Sequence, residues 1–221
     1  MVNLDKTIAD LAAIEADASL DEELNLRARV EALDQIDFVQ EIVRLRGRWV
    51  DLEALGRRAA AQQQRMEQIN ERLFELARSR IRSGKHTPRE HRAWFDQFTD
   101  YGPRQLGQPH TGYDALDALI DGMLHVDRAP QARQAPTPEM VHLEPTPAGV
   151  ILEMVDRLHL VPEDVFYDLG SGLGQVTILV HLLAGIWTVG VELEPAYIEV
   201  ACDPAWELGL SDVTFVNEAS R

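Results

Sequence analysis

The stretch Val165-Phe-Tyr-Asp-Leu-Gly-Ser-Gly-Leu-Gly-Gln-Val176 decides the fold of the last third of the chain. It begins as an apolar run, reaches a carboxylate at Asp168 and continues into a loop with glycine at every second position. This pattern predicts a β-strand, a tight turn and the first residues of a helix. Gly170, Gly172 and Gly174 allow positive φ angles and a close ligand, because no Cβ atom stands in the way. The stretch therefore predicts a ligand site at a helix N-terminus.

The segments on either side of this stretch alternate between helical and strand patterns. Upstream, Glu144-Pro-Thr-Pro147 predicts a helix start with Thr146 as N-cap and Pro147 at the first helical position. Downstream, the pattern predicts a helix over 175–183, a strand over 188–192, a helix over 195–208 and a strand over 213–216. Strands and helices that alternate through short connections form a right-handed parallel βαβαβ unit. The predicted fold class is therefore α/β, with a partial Rossmann-like sheet of three parallel strands.

The rest of the chain predicts an all-helical N-terminal domain. Apolar residues recur at spacings of three and four before residue 128, whereas the stretch 128–142 is rich in proline and small residues. We therefore divide the chain into a helical domain over 1–127, a Pro-rich linker over 128–142 and an α/β domain over 143–221.

Local signals place several boundaries within the helical domain. Capping-box patterns at Ser19–Glu22 and Thr87–Glu90 predict helix starts, and Gly47 or Gly56 is the expected place of a break. A seam of apolar residues at alternating spacings of three and four favours packing on the preceding helix over a dimeric coiled coil. Oligomerisation through these helices stays open as the alternative. The seam consists of Met66, Ile69, Leu73 and Leu76.

Composition excludes several classes of protein. The chain has 221 residues, 45% hydrophobic and 26% charged, as in ordinary globular proteins. Its N-terminus lacks the features of a secretory signal, and the apolar run over 176–191 is shorter than the roughly 20 residues that span a bilayer. The single cysteine, Cys202, cannot form an internal disulfide. We expect a cytoplasmic protein that makes no membrane contact.

The net charge of −16 is unevenly distributed. Residues 1–41 contain eleven Asp or Glu, residues 44–92 contain thirteen Lys or Arg against six Asp or Glu, and fourteen carboxylates follow from Glu139 onward. The basic stretch is either a solvated face paired with acidic helices or a surface for an acidic ligand such as nucleic acid. Few aromatic residues interleave its arginines and no nucleic-acid motif is present, so the sequence argues against nucleic acid.

Carboxylates follow the predicted strands at the edge where open α/β sheets bind ligands. Asp168, Glu192 and Glu218 lie there with no Lys or Arg nearby in sequence, so the site would repel a phosphate, and the loop lacks the Gly-Lys-Ser/Thr of a P-loop. A dinucleotide would accept Glu192 at its ribose, but Asp168 would oppose its pyrophosphate. S-Adenosylmethionine fits better, because it offers an ammonium, a sulfonium and ribose hydroxyls to carboxylates.

The string Asp168–Val176, with Thr146 lying 22 residues upstream, resembles a known family. It is similar to class I S-adenosylmethionine-dependent methyltransferases, and within them to the non-SET histone-lysine methyltransferases named for disruption of telomeric silencing and their bacterial look-alikes. The resemblance covers about residues 143–218. It implies a methyltransferase, with protein as an expected substrate class.

The resemblance also implies a role for each matching residue. The three glycines would pass under the cofactor, and Asp168 would lie near its amino-acid moiety. Glu192 would bind the ribose hydroxyls, and Glu218, or else Asn217, would accept from the adenine amino group. Of the remaining cofactor-binding positions, Gln175 matches a glutamine at the helix start, and Thr146 is an N-cap alone or an N-cap that also touches the cofactor.

The chain departs from the family pattern at its C-terminal end. It stops at Arg221, after the third strand, whereas the family sheet has seven strands with the glycine-loop strand at its centre. We expect that strand to have an open edge, and the chain to be a fragment or half of a site that another chain completes. No residue is assigned as the catalytic base or as a metal ligand. The alternative functions are a non-catalytic cofactor-binding or helical interaction protein and a nicotinamide-dependent oxidoreductase.

Overall fold

The computed structural model describes residues 4–46, 50–101, 112–126, 130–133 and 143–217. The chain forms two compact units, residues 1–74 and residues 75–221. The units divide the chain within a long helix, so residues 75–126 group with the α/β segment. Most of the linker predicted over 128–142 lies outside the described residues, and the predicted domain boundaries stay a prediction.

The first unit consists of packed helices. Helix α1 covers Leu4–Ala16, a 3₁₀ turn covers Ala18–Asp21, α2 covers Leu26–Arg46, and α3 covers Val50–Arg82 and continues into the second unit. The helix break expected at Gly56 is not observed: α3 runs through this residue without interruption. A Cβ atom on Gly56 would lie 3.3 Å from Val43 Cγ1, so glycine permits a close approach of α2 and α3. The other expected break, Gly47, lies outside the described residues.

The helix start predicted at Ser19–Glu22 is wrong, since α2 begins only at Leu26. The physical reason is Arg29, whose side chain is fully buried. Its guanidinium donates to the carbonyl oxygens of Leu20, Glu22 and Glu23 at 3.3, 2.5 and 2.8 Å. Carbonyls turned toward this buried cation do not accept the bonds of a regular helix, so the chain forms a short 3₁₀ turn capped by Asp17 instead.

The predicted seam on α3 packs within its own chain. Met66 belongs to the core formed with α1 and α2. Ile69 and Leu73 are also buried, whereas Leu76 is 43% exposed. The interpretation of the seam as an intrachain packing face is confirmed for its first three positions.

The second unit carries the sheet. Its helices and strands in chain order are α4 (Pro88–Phe95), α5 (Ala115–Leu124), α6 (Ala148–Leu158), β1 (Val165–Leu169), α7 (Gln175–Ala184), β2 (Trp187–Glu192), α8 (Pro195–Glu207) and β3 (Val213–Asn217). The strands are parallel in the order β1-β2-β3, with Asp168 opposite Gly190 and Glu192 opposite Asn217. The predicted fold class, a partial Rossmann-like sheet preceded by helices, is confirmed. The capping box at the start of α4 is also confirmed.

Helix α7 packs against all three strands and α8 against β2 and β3, while α4 and α6 pack on α7. In the described part of the chain, β1 pairs on one side only, as expected for a strand with an open edge. Side chains on one face of the sheet remain exposed, namely Tyr167 at 61%, Leu169 at 80% and Trp187 at 54%. Among the described residues, no helix has both the length and the apolar character needed to cross a membrane.

A buried histidine lies between α4 and α7. His91 is 6% exposed, and its Nδ1 has no hydrogen-bond partner among the described residues. Burial lowers the pKa of His91 to about 4, and the positive charges of Arg80 on α3, of His86 and of His181 on α7 act in the same direction, while Glu90 opposes them. The folded protein therefore holds this imidazole neutral at a pH where the unfolded chain would protonate it.

We expect acid to destabilise the second unit through His91. As the pH falls from 7 to 4, the unfolded chain protonates His91 more readily than the folded chain does, so the free energy of unfolding drops by roughly 3 kcal/mol. Urea unfolding at pH 7, 5.5 and 4 measures this loss. His91→Phe should remove most of it, whereas His159→Asn, at an exposed histidine, should retain it. An equal acid loss in His91→Phe would contradict the assignment.

Candidate functional site

The glycine loop between β1 and α7 has the backbone that its sequence predicts. Gly170, Gly172 and Gly174 have φ angles of 84°, 52° and 83°. The N–H groups of Gly170 and Ser171 donate to Val191 O at 2.8 and 3.1 Å, which fixes the loop to the end of β2. A Cβ atom on Gly174 would lie 2.5 Å from the ring of Phe215, so glycine is required there by space as well as by φ.

A cavity of about 90 Å³ opens beside this loop. It is smaller than the roughly 300–1,000 Å³ of complete ligand pockets, so it would hold one part of a larger ligand. Two acidic residues, Glu144 and Asp168, line it, and the described part of the lining contains no Lys or Arg, which favours a positively charged group. Its lining consists of Val126, Leu143, Glu144, Pro145, Thr146, Asp168, Gly170, Ser171, Gly172, Leu173, Gln175 and Val176.

Asp168 places its carboxylate at the wall of the cavity. Its Oδ2 accepts a hydrogen bond from Thr177 Oγ1 at 2.8 Å, which fixes the side chain against the first turn of α7. Burial raises the pKa of Asp168, while the bond from Thr177 acts in the opposite direction and the nearby Glu192 adds to the rise. A cation bound in the cavity would stabilise the charged form of this carboxylate.

Gln175, the first residue of α7, is the strongest sign of a ligand. The residue belongs to the cavity lining and is only 5% exposed, and its buried Nε2 has no hydrogen-bond partner in the described part of the chain. Ser171 is another lining residue, and its buried Oγ likewise has no partner there. Leaving a buried donor unpaired costs about 1–3 kcal/mol. A ligand with acceptor oxygens would satisfy the amide.

Thr146 lies at the cavity, but its predicted role as N-cap is wrong. Helix α6 begins at Ala148, and the N-cap residue is Pro147, which offers no side-chain cap. Asp117 of α5 takes over this function, because its Oδ1 accepts from Ala148 N at 2.6 Å. Thr146 is therefore free of the capping role, and its contact with a cofactor stays a prediction.

Glu192 does not line the cavity. Its Oε2 accepts from Gly172 N at 2.9 Å, and its Oε1 accepts from the N–H groups of Leu193 and Glu194 at 2.7 and 2.9 Å. The carboxylate thus joins the end of β2 to the glycine loop, and its predicted contact with a ribose is untested. Glu218 lies outside the described residues. Asn217, its predicted alternative, donates through Nδ2 to Glu192 O and Leu193 O at 3.2 and 3.1 Å.

Sequence reasoning missed seven residues of the cavity wall: Val126, Leu143, Glu144, Pro145, Ser171, Leu173 and Val176. Ser171 stands inside the glycine motif, so its position alone could have identified it. Glu144 precedes Pro145 in the segment quoted for Thr146, and its charge was the available signal. Val126 follows α5 and is far away in sequence, so only tertiary structure brings it to the site.

Comparisons with known proteins point to the same segment. Residues 139–208 match the family model described as histone methylation protein DOT1. This segment resembles that family. The match agrees with the resemblance predicted from the glycine motif and covers less than half of the chain.

Two solved structures also match part of the chain. An RNA methyltransferase from Salinibacter ruber, in complex with S-adenosyl-L-homocysteine, is 35% identical, covers 34% of this chain and 49% of its own, and has a TM-score of 0.32. YjhP from E. coli is 26% identical, covers 37% of this chain and 33% of its own, and has a TM-score of 0.32. The chain thus spans half or less of the length of these two proteins. No curated protein matches the chain.

Proposed function

We propose that the chain contributes the cofactor-binding half of an S-adenosylmethionine-dependent methyltransferase. The observation that carries the proposal is the buried Nε2 of Gln175, which has no partner among the described residues, in a glycine-backed cavity whose described charged lining is acidic. The amino-acid end of S-adenosylmethionine has a carboxylate for the amide and an ammonium for the acidic wall. The match to the DOT1 family model over the same segment supports this reading.

The residues of the site fit this cofactor by their chemistry. Gly172 and Gly174 keep the loop backbone free of side chains, Gln175 would donate to the cofactor carboxylate, and Asp168 would accept from its ammonium. Glu192 would accept from ribose hydroxyls, and Glu218 or Asn217 would lie at the adenine. When bound, the cofactor supplies an electrophilic methyl group.

The contribution of this chain to methyl transfer would be binding and orientation. A nucleophile attacks the methyl group in line with the departing sulfur, so holding both partners in register supplies much of the acceleration. Asp168, fixed by Thr177 at 2.8 Å, and Gln175, on the first turn of α7, are held on regular elements rather than on loops. A base that deprotonates the acceptor is not among the residues assigned here.

The acceptor that we propose is a protein, on the basis of the family description, which names histone methylation. The acidic C-terminal half would attract a basic peptide and repel nucleic acid. With a single cysteine in the sequence, we propose action in the cytoplasm. Oligomerisation through the N-terminal helices stays open.

Calorimetry tests the proposal directly. Titration with S-adenosylhomocysteine and, in parallel, with NAD should give binding of the first and none of the second. Binding of NAD alone would support an oxidoreductase, and absence of S-adenosylhomocysteine binding, also in a chain extended beyond Arg221, would overturn the proposal. Methyl transfer to a basic peptide by the extended chain separates an enzyme from a non-catalytic cofactor-binding protein.

Replacing Gln175 by leucine should weaken binding of S-adenosylhomocysteine by about 10- to 100-fold, because a hydrogen bond to a charged group contributes roughly 1.5–3 kcal/mol. The apo protein should not lose stability, since Nε2 has no partner among the described residues. Calorimetry and thermal melting measure the two effects. Gln97→Leu, at an exposed glutamine of the same unit, is the control and should leave the affinity unchanged. Equal affinity of the Gln175 variant and the parent would contradict the assignment.

A further inference from the structure

Helix α5 lies outside the segment that resembles methyltransferases, yet it holds one wall of the cavity. Five of its side chains, at Leu116, Leu119, Ile120, Met123 and Leu124, are at most 1% exposed. The helix also packs on α6. A helix anchored by so many buried side chains is a rigid support.

Two hydrogen bonds connect the N-terminal end of α5 to the segment that carries Thr146. Tyr113 OH donates to Pro145 O at 2.7 Å, and Asp117 Oδ1 accepts from Ala148 N at 2.6 Å. They fix the backbone on both sides of Thr146. Because Pro147 gives α6 no side-chain cap, Asp117 also fixes the point at which α6 begins.

Asp117 is itself held in place. Its Oδ2 accepts from Asp114 N at 2.7 Å, and Asp114 in turn accepts from Thr99 Oγ1 and Asp100 N at 2.7 and 2.8 Å. Asp117 is 2% exposed, so its carboxylate stays buried and is compensated by backbone N–H groups. A buried carboxylate with two backbone donors has little freedom to move, which suits it for positioning.

The segment that begins at Leu143 and includes Thr146 lines the cavity and also contacts the glycine loop. Leu143 lies so close to the glycine loop that a Cβ on Gly172 would be 2.7 Å from Leu143 Cδ1. Glu144, Pro145 and Thr146 line the same cavity as Asp168 and Gln175. The position of residues 143–148 therefore sets the width of the cavity.

We infer that Tyr113 and Asp117 are positioning residues for the cofactor site. They hold residues 145–148 in place before the ligand binds. Binding to Thr146 and Glu144 therefore does not have to order this segment, which would cost conformational entropy. The inference rests on the proposed function and extends it. It assigns to two residues of the helical region the role of positioning part of the cofactor site in the α/β domain. Neither residue touches the cavity itself.

The test compares Tyr113→Phe with Tyr167→Phe in the full chain. Tyr113 and Tyr167 are 57% and 61% exposed, so both variants lose one hydroxyl from the surface and should stay folded. Loss of the bond to Pro145 O should lower the melting temperature of Tyr113→Phe by only about 2–4 °C. Only Tyr113→Phe should weaken binding of S-adenosylhomocysteine, by about 5-fold. Only in that variant should the backbone amides of Glu144, Thr146 and residues 148–150 exchange hydrogen faster in the ligand-free protein.

Asp117→Asn provides the second arm. The amide keeps one acceptor oxygen but places an NH₂ against a backbone N–H, so faster exchange at Ala148 and weaker binding are expected here too. Unchanged exchange and unchanged affinity in both variants would overturn the inference. If the parent chain does not bind S-adenosylhomocysteine, the proposed function fails, whereas the exchange rates of the ligand-free variants still test the positioning role.

Discussion

Gly174→Ala is expected to destabilise the second unit by about 4 kcal/mol and to abolish cofactor binding. The φ angle of Gly174 is 83°, which costs an alanine about 1 kcal/mol. The larger part comes from space, since the new Cβ would lie 2.5 and 2.8 Å from two ring atoms of Phe215 and 3.0 Å from Ala201 Cβ. Relief of these contacts requires the loop to move away from β3 and α8, which would displace Gln175. Urea unfolding and calorimetry measure the two losses.

Alanine substitutions at two other glycines distinguish the cost of a positive φ angle from the cost of steric overlap. Gly170 and Gly209 have φ angles of 84° and 71°, and a Cβ on either would have no heavy atom within 4 Å. Alanine at each should therefore cost about 1 kcal/mol, the strain alone. Gly170→Ala should also weaken binding, because Gly170 lines the cavity, whereas Gly209→Ala should not. Equal destabilisation by all three variants would show that the Phe215 side chain moves away from the new Cβ without loss of stability.

The contrast among these glycines explains why so much of the site could be predicted from the sequence. Spaced glycines after an apolar run specify a turn by local backbone preference, and the alternation of strands and helices then fixes a parallel sheet. Asp168 and Gln175 follow from their positions in that turn. For these residues, the glycine-spaced turn determines both the local backbone structure and the position in the site.

Other features depend on contacts between residues distant in sequence, which local patterns do not contain. The capping box at Ser19–Glu22 is a valid local signal, but the buried guanidinium of Arg29 draws the neighbouring carbonyls away from a helix. The N-cap expected at Thr146 is likewise displaced because Asp117, 31 positions away from Ala148, supplies the acceptor. In both cases a buried charged group overrides a weak local preference.

The unit boundary at residues 74 and 75 follows the same logic. Helix α3 is continuous in sequence pattern, so periodicity gives no reason to divide it. The division arises because residues 75–126 pack with the α/β segment, and this packing also brings Val126 to the cavity. Composition predicts a linker at the Pro-rich stretch, whereas the boundary between the compact units depends on packing between residues distant in sequence.

Asp168→Asn should change cofactor affinity and protein stability in opposite directions. Burial raises the pKa of Asp168 above that of the unfolded chain, so its contribution to stability is greatest at low pH and is lost as the pH rises through the folded-state pKa. At pH 7 the ionised carboxylate therefore costs stability. Asparagine removes that cost and can still accept from Thr177 Oγ1. The apo protein should be as stable as the parent or more stable.

Binding responds in the other direction, since the ammonium of S-adenosylhomocysteine loses its charged acceptor. We expect affinity at pH 7 to fall by about 10- to 100-fold, the equivalent of a charge-assisted hydrogen bond. The parent should also bind more weakly as acid protonates Asp168, and the variant should lack this part of the pH dependence. Asp164→Asn is the matched control, because Asp164 is exposed, accepts from Val161 N at 2.9 Å and lies outside the cavity. Calorimetry from pH 5 to 8 on all three proteins decides the matter: parallel pH profiles for the parent and Asp168→Asn would exclude a direct contact between this carboxylate and the ligand.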